Sequence, residues 1–418
     1  MIGPAADDGA RTVGYNNVIF RPMGVIMTST TAVSQRRYDF DWLRILAIAA
    51  VFIFHTGRAF DQGGWHIKNA VTTQGMSIWT QFMVLWLMPI IFIVSGVSVY
   101  FTADKKPGVL IKDKVLRLLV PLVVGAFSHV ALQVYIEHVT QHGFTGSFFD
   151  FIPDYFQGFY GLGGNFAWMG LHLWYLLVLF IFSIILLPLF RWFKVSASGQ
   201  RFVSRFTDFL SKGLNVYLLA LPIGLLLIAL DPDGLGLKDF GGWSVFIYLF
   251  FFVYGYLIVA SERLQASVKR WRGLSLVIGL AGVGGLLYGI RNGDPNFGTP
   301  DFAVLMVVYA LCAWGWLLAI LGFGMKHLNR PSPRLSALNE AVLPFYVMHQ
   351  TVIVIMDYFI LPLPIPDPLK FIIVGVSAFT IIVTLYELIV KRVGVLRFLF
   401  GMKPFRTASI RALKTVEV

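Results

Sequence analysis

The sequence predicts an all-α polytopic membrane protein with about ten transmembrane helices and both termini in the cytoplasm. Three observations carry that expectation. Hydrophobic residues make up 57% of the 418 positions and the mean hydropathy is +0.73, far from the composition of a soluble domain. Apolar runs of spanning length recur along the whole chain. Basic residues collect in alternate connections between those runs, which is how membrane orientation is encoded.

The runs fall at about 42–61, 78–101, 117–137, 170–191, 213–230, 243–260, 273–290, 302–323, 341–361 and 370–391. With the N-terminus placed inside, 29 of the 34 basic residues lie on the cytoplasmic side, leaving Arg58, Lys68, Lys238, Arg291 and Lys370 outside. This segregation accounts for the formal charge of +12 without nucleic acid as a partner. The multi-pass chain is therefore expected in the plasma (inner) membrane, with the lipid bilayer as its constant partner; no pattern specifies an oligomeric state. Residues 1–35 lack a signal-peptide core and read as a disordered cytoplasmic tail, the first helix serving as an uncleaved signal. The ten-helix domain occupies 36–392, and 393–418 form a basic amphipathic cytoplasmic tail suited to anionic lipid.

The connection at about 138–169 has no Lys or Arg and is rich in Phe and Tyr. Its aromatic faces suit either stacking on sugar rings or residence in the membrane interface. The single cysteine, Cys312, lies inside an apolar run, so disulfides and cysteine-metal clusters are excluded.

Ionisable residues inside apolar runs are costly and usually mark a site. The first run carries Arg44, His55 and Arg58. Eleven residues separate Arg44 from His55, a spacing that returns a helical side chain to within about 20° of its starting direction, roughly 17 Å along the axis. One polar stripe thus links the cytoplasmic edge to the membrane interior. His129 and His349 lie at similar depth in later runs, while His172 opens the fourth run and His66 sits in the first external loop. Histidine suits proton transfer near neutrality; each of these could equally tie two helices together. Asp357 and Glu387 are the acidic residues placed to partner them, Glu387 also serving as a helix-end cap. Arg44, Lys114 and Arg117 stand at the cytoplasmic mouth, where they could hold phosphate oxygens of a soluble donor or simply anchor topology. The small pair Ser95-Gly96 is explained by close helix packing without chemistry. Gly-x-Ser-x-Gly, His-Glu-x-x-His, phosphate-loop and dinucleotide patterns are missing, which argues against a soluble-type hydrolase or ATPase.

Several of these pieces together resemble the acyltransferase 3 family of integral membrane acyltransferases. The basic residue, ten residues and histidine of its first span are matched by Arg44 and His55, and its Phe-x-x-Ser-Gly by Phe92 to Gly96. Trp65 to Asn69, Leu116 to Pro121, His172 to Leu176, Phe345 to His349, Tyr386-Glu387 and Leu396 to Pro404 are similar to its glucan biosynthesis protein C branch. Two features depart from the pattern: Gln350 stands where the family has a second histidine, and the long aromatic loop has no counterpart. The resemblance implies transfer of an acyl group, acetyl or succinyl, from cytoplasmic acyl-CoA to a hydroxyl of an extracytoplasmic glycan. Acyl-CoA would be a co-substrate, with no tightly bound cofactor and no metal. Arg44, Lys114 and Arg117 would hold the nucleotide, His55 would act as general base with Arg58 or His349 orienting it, and His66, His172 and Trp174 would meet the carbohydrate acceptor. A transporter or exporter of a polar solute or glycan would use the same buried ionisable groups, and an inactive sensor or scaffold is the third alternative.

Overall fold

The computed structural model describes residues 36–293 and 295–404. The chain divides into two units, Met1–Arg36 and Arg37–Val418, and every described helix belongs to the second. The expected tail at 1–35 and the end of the basic tail at 405–418 lie outside the described residues.

Among the described residues the architecture is all-helical, with isolated bridges only. Helix α1 is Tyr38–Gly57, and α2 (Gln74–Val84) runs almost directly into α3 (Leu87–Tyr100). The third run is built from α4 (Pro107–Lys114), a π-helical turn at Val115–Leu119, α5 (Val120–Ala126) and α6 (Val130–Gln141). Then come α7 (Phe148–Tyr155), α8 (Trp174–Ile185) behind a 3-10 turn at Leu171–Leu173, α9 (Leu187–Val195) and α10 (Ala197–Leu210). A second 3-10 turn at Asn215–Leu219 leads into α11 (Ala220–Ala229), followed by α12 (Val245–Ala260), α13 (Glu262–Asn292) and α14 (Pro300–His327). Finally α15 (Leu335–Ile360), α16 (Asp367–Leu385) with a π-helical end at Tyr386–Val390, and α17 (Gly394–Leu399) complete the chain.

Seven helical stretches among the described residues are long and apolar enough to cross a membrane: α1, α2 with α3, α4 through α6, α13, α14, α15, and α16 with its π-helical end. The remaining three predicted runs differ from single straight spans. Pro188 near the start of α9 accompanies a 52° bend after α8, because proline lacks the N–H that would continue the ladder. Between α10 and α11 the chain turns by 117°, with Gly213 at φ +52° in the connection. Helix α12 has only 16 residues.

The centre of the bundle is α3, which is apolar on all sides and nearly all buried. It lies against α12 at backbone distance: a Cβ on Gly96 would collide with the Phe252 carbonyl, and one on Gly255 with the Ile93 carbonyl. The small pair noted in the sequence therefore packs helices, as expected for close approach in a membrane. Helices α13 and α14 pair in the same manner, Gly282 lying beside Cys312 and Gly315 beside the Gly279 backbone. Helix α1 packs on α15 and α3, and α15 also meets α6 and α16.

The aromatic connection is anchored at one short helix and exposed or half-buried over most of its length. A capping box between Ser147 and Asp150 starts α7, and Phe151 and Tyr155 are buried against the bundle. Phe149, Phe159 and Trp168 stay exposed. Of the expected surface tail, the described residues include α17, whose Arg397 turns inward to Glu340 at 2.6 Å.

Because overpacking costs about 1–3 kcal/mol even where neighbours can shift, and here they are backbone, Gly96→Val and Gly255→Val should each lower the thermal midpoint in detergent by several degrees. Monodisperse protein with an unchanged midpoint would contradict the α3–α12 contact.

Candidate active site

The histidines converge. His55 on α1 and His349 on α15 meet with Nδ1 of the first 2.9 Å from Nε2 of the second. The direction of that bond follows from its neighbours. His349 Nδ1 lies 2.5 Å from the Tyr346 carbonyl oxygen, and a carbonyl can only accept, so Nδ1 carries the hydrogen. In the neutral ring Nε2 then holds the lone pair, which makes His55 Nδ1–H the donor across the helix interface. His55 Nε2 is left as the basic nitrogen, and the ring also lies within hydrogen-bonding reach of the Val51 backbone one turn earlier on α1.

His55 lines a cavity of about 50 Å³ together with Leu87, Met88, His172, Trp174, Gly241 and Tyr346. That volume holds a water or two. Trp65 stacks on the His55 ring at 5.5 Å and 20°. His172 comes from the α8 entrance rather than a separate outer site, with its ring centre 5.0 Å from that of His349. Left-handed backbone at Gly170 (φ +71°) and Leu171 (φ +49°) turns the chain there. A leucine in that region is strained, which marks the delivery of His172 as something the surrounding packing enforces. Its Nε2–H donates to the Val347 carbonyl at 3.0 Å, and its Nδ1 accepts from Gln133 at 3.4 Å.

A second polar line crosses the interior from α6 to α15. Gln350 donates to Gln133 Oε1 at 2.9 Å and to His66 Nε2 at 3.2 Å; Gln133 donates to Thr351 at 2.6 Å, and Thr351 meets His129 Nδ1 at 2.8 Å. Its far end is His66 Nδ1–H on the Glu137 carboxylate at 2.6 Å, which also accepts from the Tyr160 hydroxyl at 2.9 Å. Loss of solvent first, and Glu137 second, raise the Tyr160 phenol above its ordinary value, so it stays a donor. His66 is thus saturated by protein, and Gln350 does the bridging where a second histidine was expected. Gln133, Glu137, Tyr160 and Thr351 were not singled out in the sequence, although His129, Gln133 and Glu137 stand four apart on one face of an apolar run.

At the opposite end of α1, Arg44 donates to Ser98 Oγ at 2.6 Å and lies 3.9 Å from Asp41. Lys114 and Arg117 are near enough for their charges to act on one another and on Arg44, so the three cations form one positive cluster. Ser95, deeper on α3, shares a 2.6 Å hydrogen bond with the Tyr175 hydroxyl. Arg58 is bound to the buried Asp61 and, at 2.6 Å, to the Gly64 carbonyl, with its guanidinium 5.8 Å from the Trp65 ring centre. Lys68 reaches the same Asp61 at 2.9 Å. Asp357 is fully buried beside Trp65, whose indole N–H points to its carboxyl group. Glu387 pairs with Lys391 at 2.7 Å and takes no part in the histidine cluster. No group of three or more metal-ligating side chains occurs among the described residues.

A family model described as an acyltransferase domain, Acyl_transf_3, matches residues 37–387. The chain is 26% identical over 389 residues to glucans biosynthesis protein C of Escherichia coli (strain K12), covering 89% of this chain and 96% of that protein. The protein of the same name from Shigella dysenteriae serotype 1 (strain Sd197) gives the same identity and coverage. No solved structure matches.

Breaking one partner out of a buried ion cluster typically costs about 3–5 kcal/mol. Asp61→Ala, which leaves Arg58 and Lys68 facing one another, should therefore lower the thermal midpoint markedly, whereas Glu387→Ala at the surface should leave it nearly unchanged; equal effects would argue against the Asp61 anchor.

Proposed function

The chain belongs to the acyltransferase 3 family, and from that premise we propose that this membrane acyltransferase carries an acyl group from cytoplasmic acyl-CoA to a hydroxyl of an extracytoplasmic carbohydrate. The observation that carries the reading is the oriented pair His55–His349, which leaves a basic nitrogen facing a cavity between a positive mouth and the opposite membrane face. The charge asymmetry supports a cytoplasmic Arg44 end and both termini inside. The two bent pairs and α12 supply the remaining three of ten spans, in a plasma (inner) membrane.

Arg44, Lys114 and Arg117 would take the donor's phosphates by charge-assisted hydrogen bonds. The bilayer excludes the nucleotide but admits its thin acyl-bearing arm, which would run along α1 and α3 past Ser98 and Ser95 to His55. There His55 Nε2 removes the proton of the acceptor hydroxyl while its oxygen attacks the thioester carbonyl. The tetrahedral intermediate collapses by breaking the carbon–sulfur bond, and the thiolate regains the proton from His55. His349 fixes the tautomer and orientation. Arg58 acts through the loop that keeps Trp65 stacked on His55. Trp174 offers an aromatic face to a sugar ring in the same cavity, with His172 beside it, while His66 holds the outer part of the network in register. Acetyl and succinyl are both compatible donors, and the relatives' name favours a glucan as acceptor. Family membership favours bond making over solute transport.

In proteoliposomes loaded with acyl-CoA and given external carbohydrate, His55→Ala should reduce CoA release by about 10²–10⁴-fold while the protein remains in the membrane. Normal release from that variant would remove His55 as base. His349→Ala should lower kcat with little change in KM for either substrate. Arg44→Ala should raise KM for acyl-CoA by about tenfold or more, the scale of a lost hydrogen bond to a charged group, with a smaller change in kcat; an unchanged KM would place the donor elsewhere. The mass of the modified carbohydrate distinguishes acetyl from succinyl.

A further inference from the structure

A second hollow, about 870 Å³, opens between α2, α13, α14 and the connection from α11 to α12, at the end of the bundle away from Arg44. Its size falls within the range of ligand sites. Its walls are hydrocarbon: Phe82, Leu286, Leu305 and Met306. Its polar side chains are Gln81, Asp231, Asp233, Lys238, Asn296 and Tyr309, the lysine ammonium lying 4.9 Å from the Tyr309 ring centre.

This cleft and the histidine cavity share a wall. Val84 faces both, and the adjacent Gly241 and Gly242 line the cavity and the cleft respectively. Both glycines have left-handed backbone, φ +61° and +85°, and a Cβ on Gly242 would run into Val84. The partition is therefore one valine side chain and a strip of bare backbone, held by a 2.9 Å hydrogen bond from Trp243 Nε1 to the Val84 carbonyl.

We propose that the cleft binds the hydrocarbon tail of a membrane-anchored neutral glycolipid, the acceptor, and presents a sugar hydroxyl to His55 across the Val84–Gly241–Gly242 partition. The proposal rests on the reading that the acceptor is an external carbohydrate, and it makes that carbohydrate lipid-borne. A free sugar placed on these walls would lose its hydrogen bonds to water without replacement, an expensive exchange. A tail loses none. Since it arrives from lipid rather than water, it gains little from burial, and its part is to position the headgroup. Two carboxylates against one ammonium at the polar edge repel a phosphate head and accept hydrogen bonds from sugar hydroxyls.

The test uses the full chain in zwitterionic nanodiscs with dodecyl β-glucoside carrying a diazirine at the tail end. Photolabelling is expected on α2, α13 and α14, competed by unlabelled dodecyl glucoside and not by glucose. Leu286→Trp and, independently, Leu305→Trp should cut it about tenfold and lower transfer to the glycolipid, with donor KM unchanged. Equal labelling on the lipid-facing Ile372 and Val376 of α16, insensitive to competitor, would overturn the cleft as a site. Stronger competition by dodecyl phosphate than by the glucoside would overturn the neutral headgroup, and Asp231→Asn with Asp233→Asn should shift competition in that direction if the edge charge is the discriminator. Transfer without cleft labelling defeats this proposal alone; cleft labelling without transfer supports the site and defeats the transferase reading.

Discussion

The hydrogen bond between His55 and His349 is the constraint on which the interior depends. It joins the first and fifteenth helices, and its polarity is imposed from outside the pair by the Tyr346 carbonyl. Were that carbonyl absent, either ring could donate and the lone pair would divide between two nitrogens in different surroundings. With it, a single nitrogen on α1 is basic and its direction is set by a helix–helix contact rather than by a loop. The cost of burying imidazoles in a membrane bundle is met by satisfying every other nitrogen of the central pair.

Around this pair the polar groups fall into two lines that do different work. The line through Gln133, Gln350, Thr351 and His66 to Glu137 ties α6 to α15 and to the first loop, and nearly all its donors and acceptors are consumed by one another. Such a network specifies geometry but has little capacity left for substrate. The line from Arg44 past Ser98 toward His55 is sparser, Arg44 holding Ser98 by one hydrogen bond and lying 3.9 Å from Asp41. Under the proposed mechanism, chemistry belongs with the second line and support with the first. Asp61 extends the support, since one carboxylate holds both Arg58 and Lys68 beneath the loop that carries Trp65.

The helical class and the pairing of Arg44 with His55 on one helix were legible in the sequence because hydropathy and the 3.6-residue period are local properties. The convergence of His55, His172 and His349 was only half legible: similar depth suggested His349, but His172 looked peripheral because the left-handed turn at Gly170–Leu171 that carries it inward has no periodic signature. The anchoring of the aromatic loop was illegible for a related reason. Phe and Tyr suit an interface, a sugar platform or a core equally, and only contact with α6 decides that Phe151 and Tyr155 are core. Broken spans were hidden as well, since hydropathy windows average over the bends at Pro188 and Gly213.

The size of the histidine cavity limits how the enzyme can work. About 50 Å³ has room for a hydroxyl group but not for a thioester and a sugar ring beside it, so under the proposed mechanism the reactants widen it. Separating α1 from α15 would open it at the expense of the His55–His349 bond, the very contact that makes His55 Nε2 basic. The α3–α12 seam cannot give, because Gly96 and Gly255 already place backbone on backbone. What remains is the side formed by Val84, at the end of α2, and the Gly241–Gly242 strip, where displacement costs a few van der Waals contacts and leaves the catalytic pair intact. Under the proposed mechanism, entry of the acceptor and preservation of the His55–His349 bond are therefore compatible on the side where the larger cleft lies.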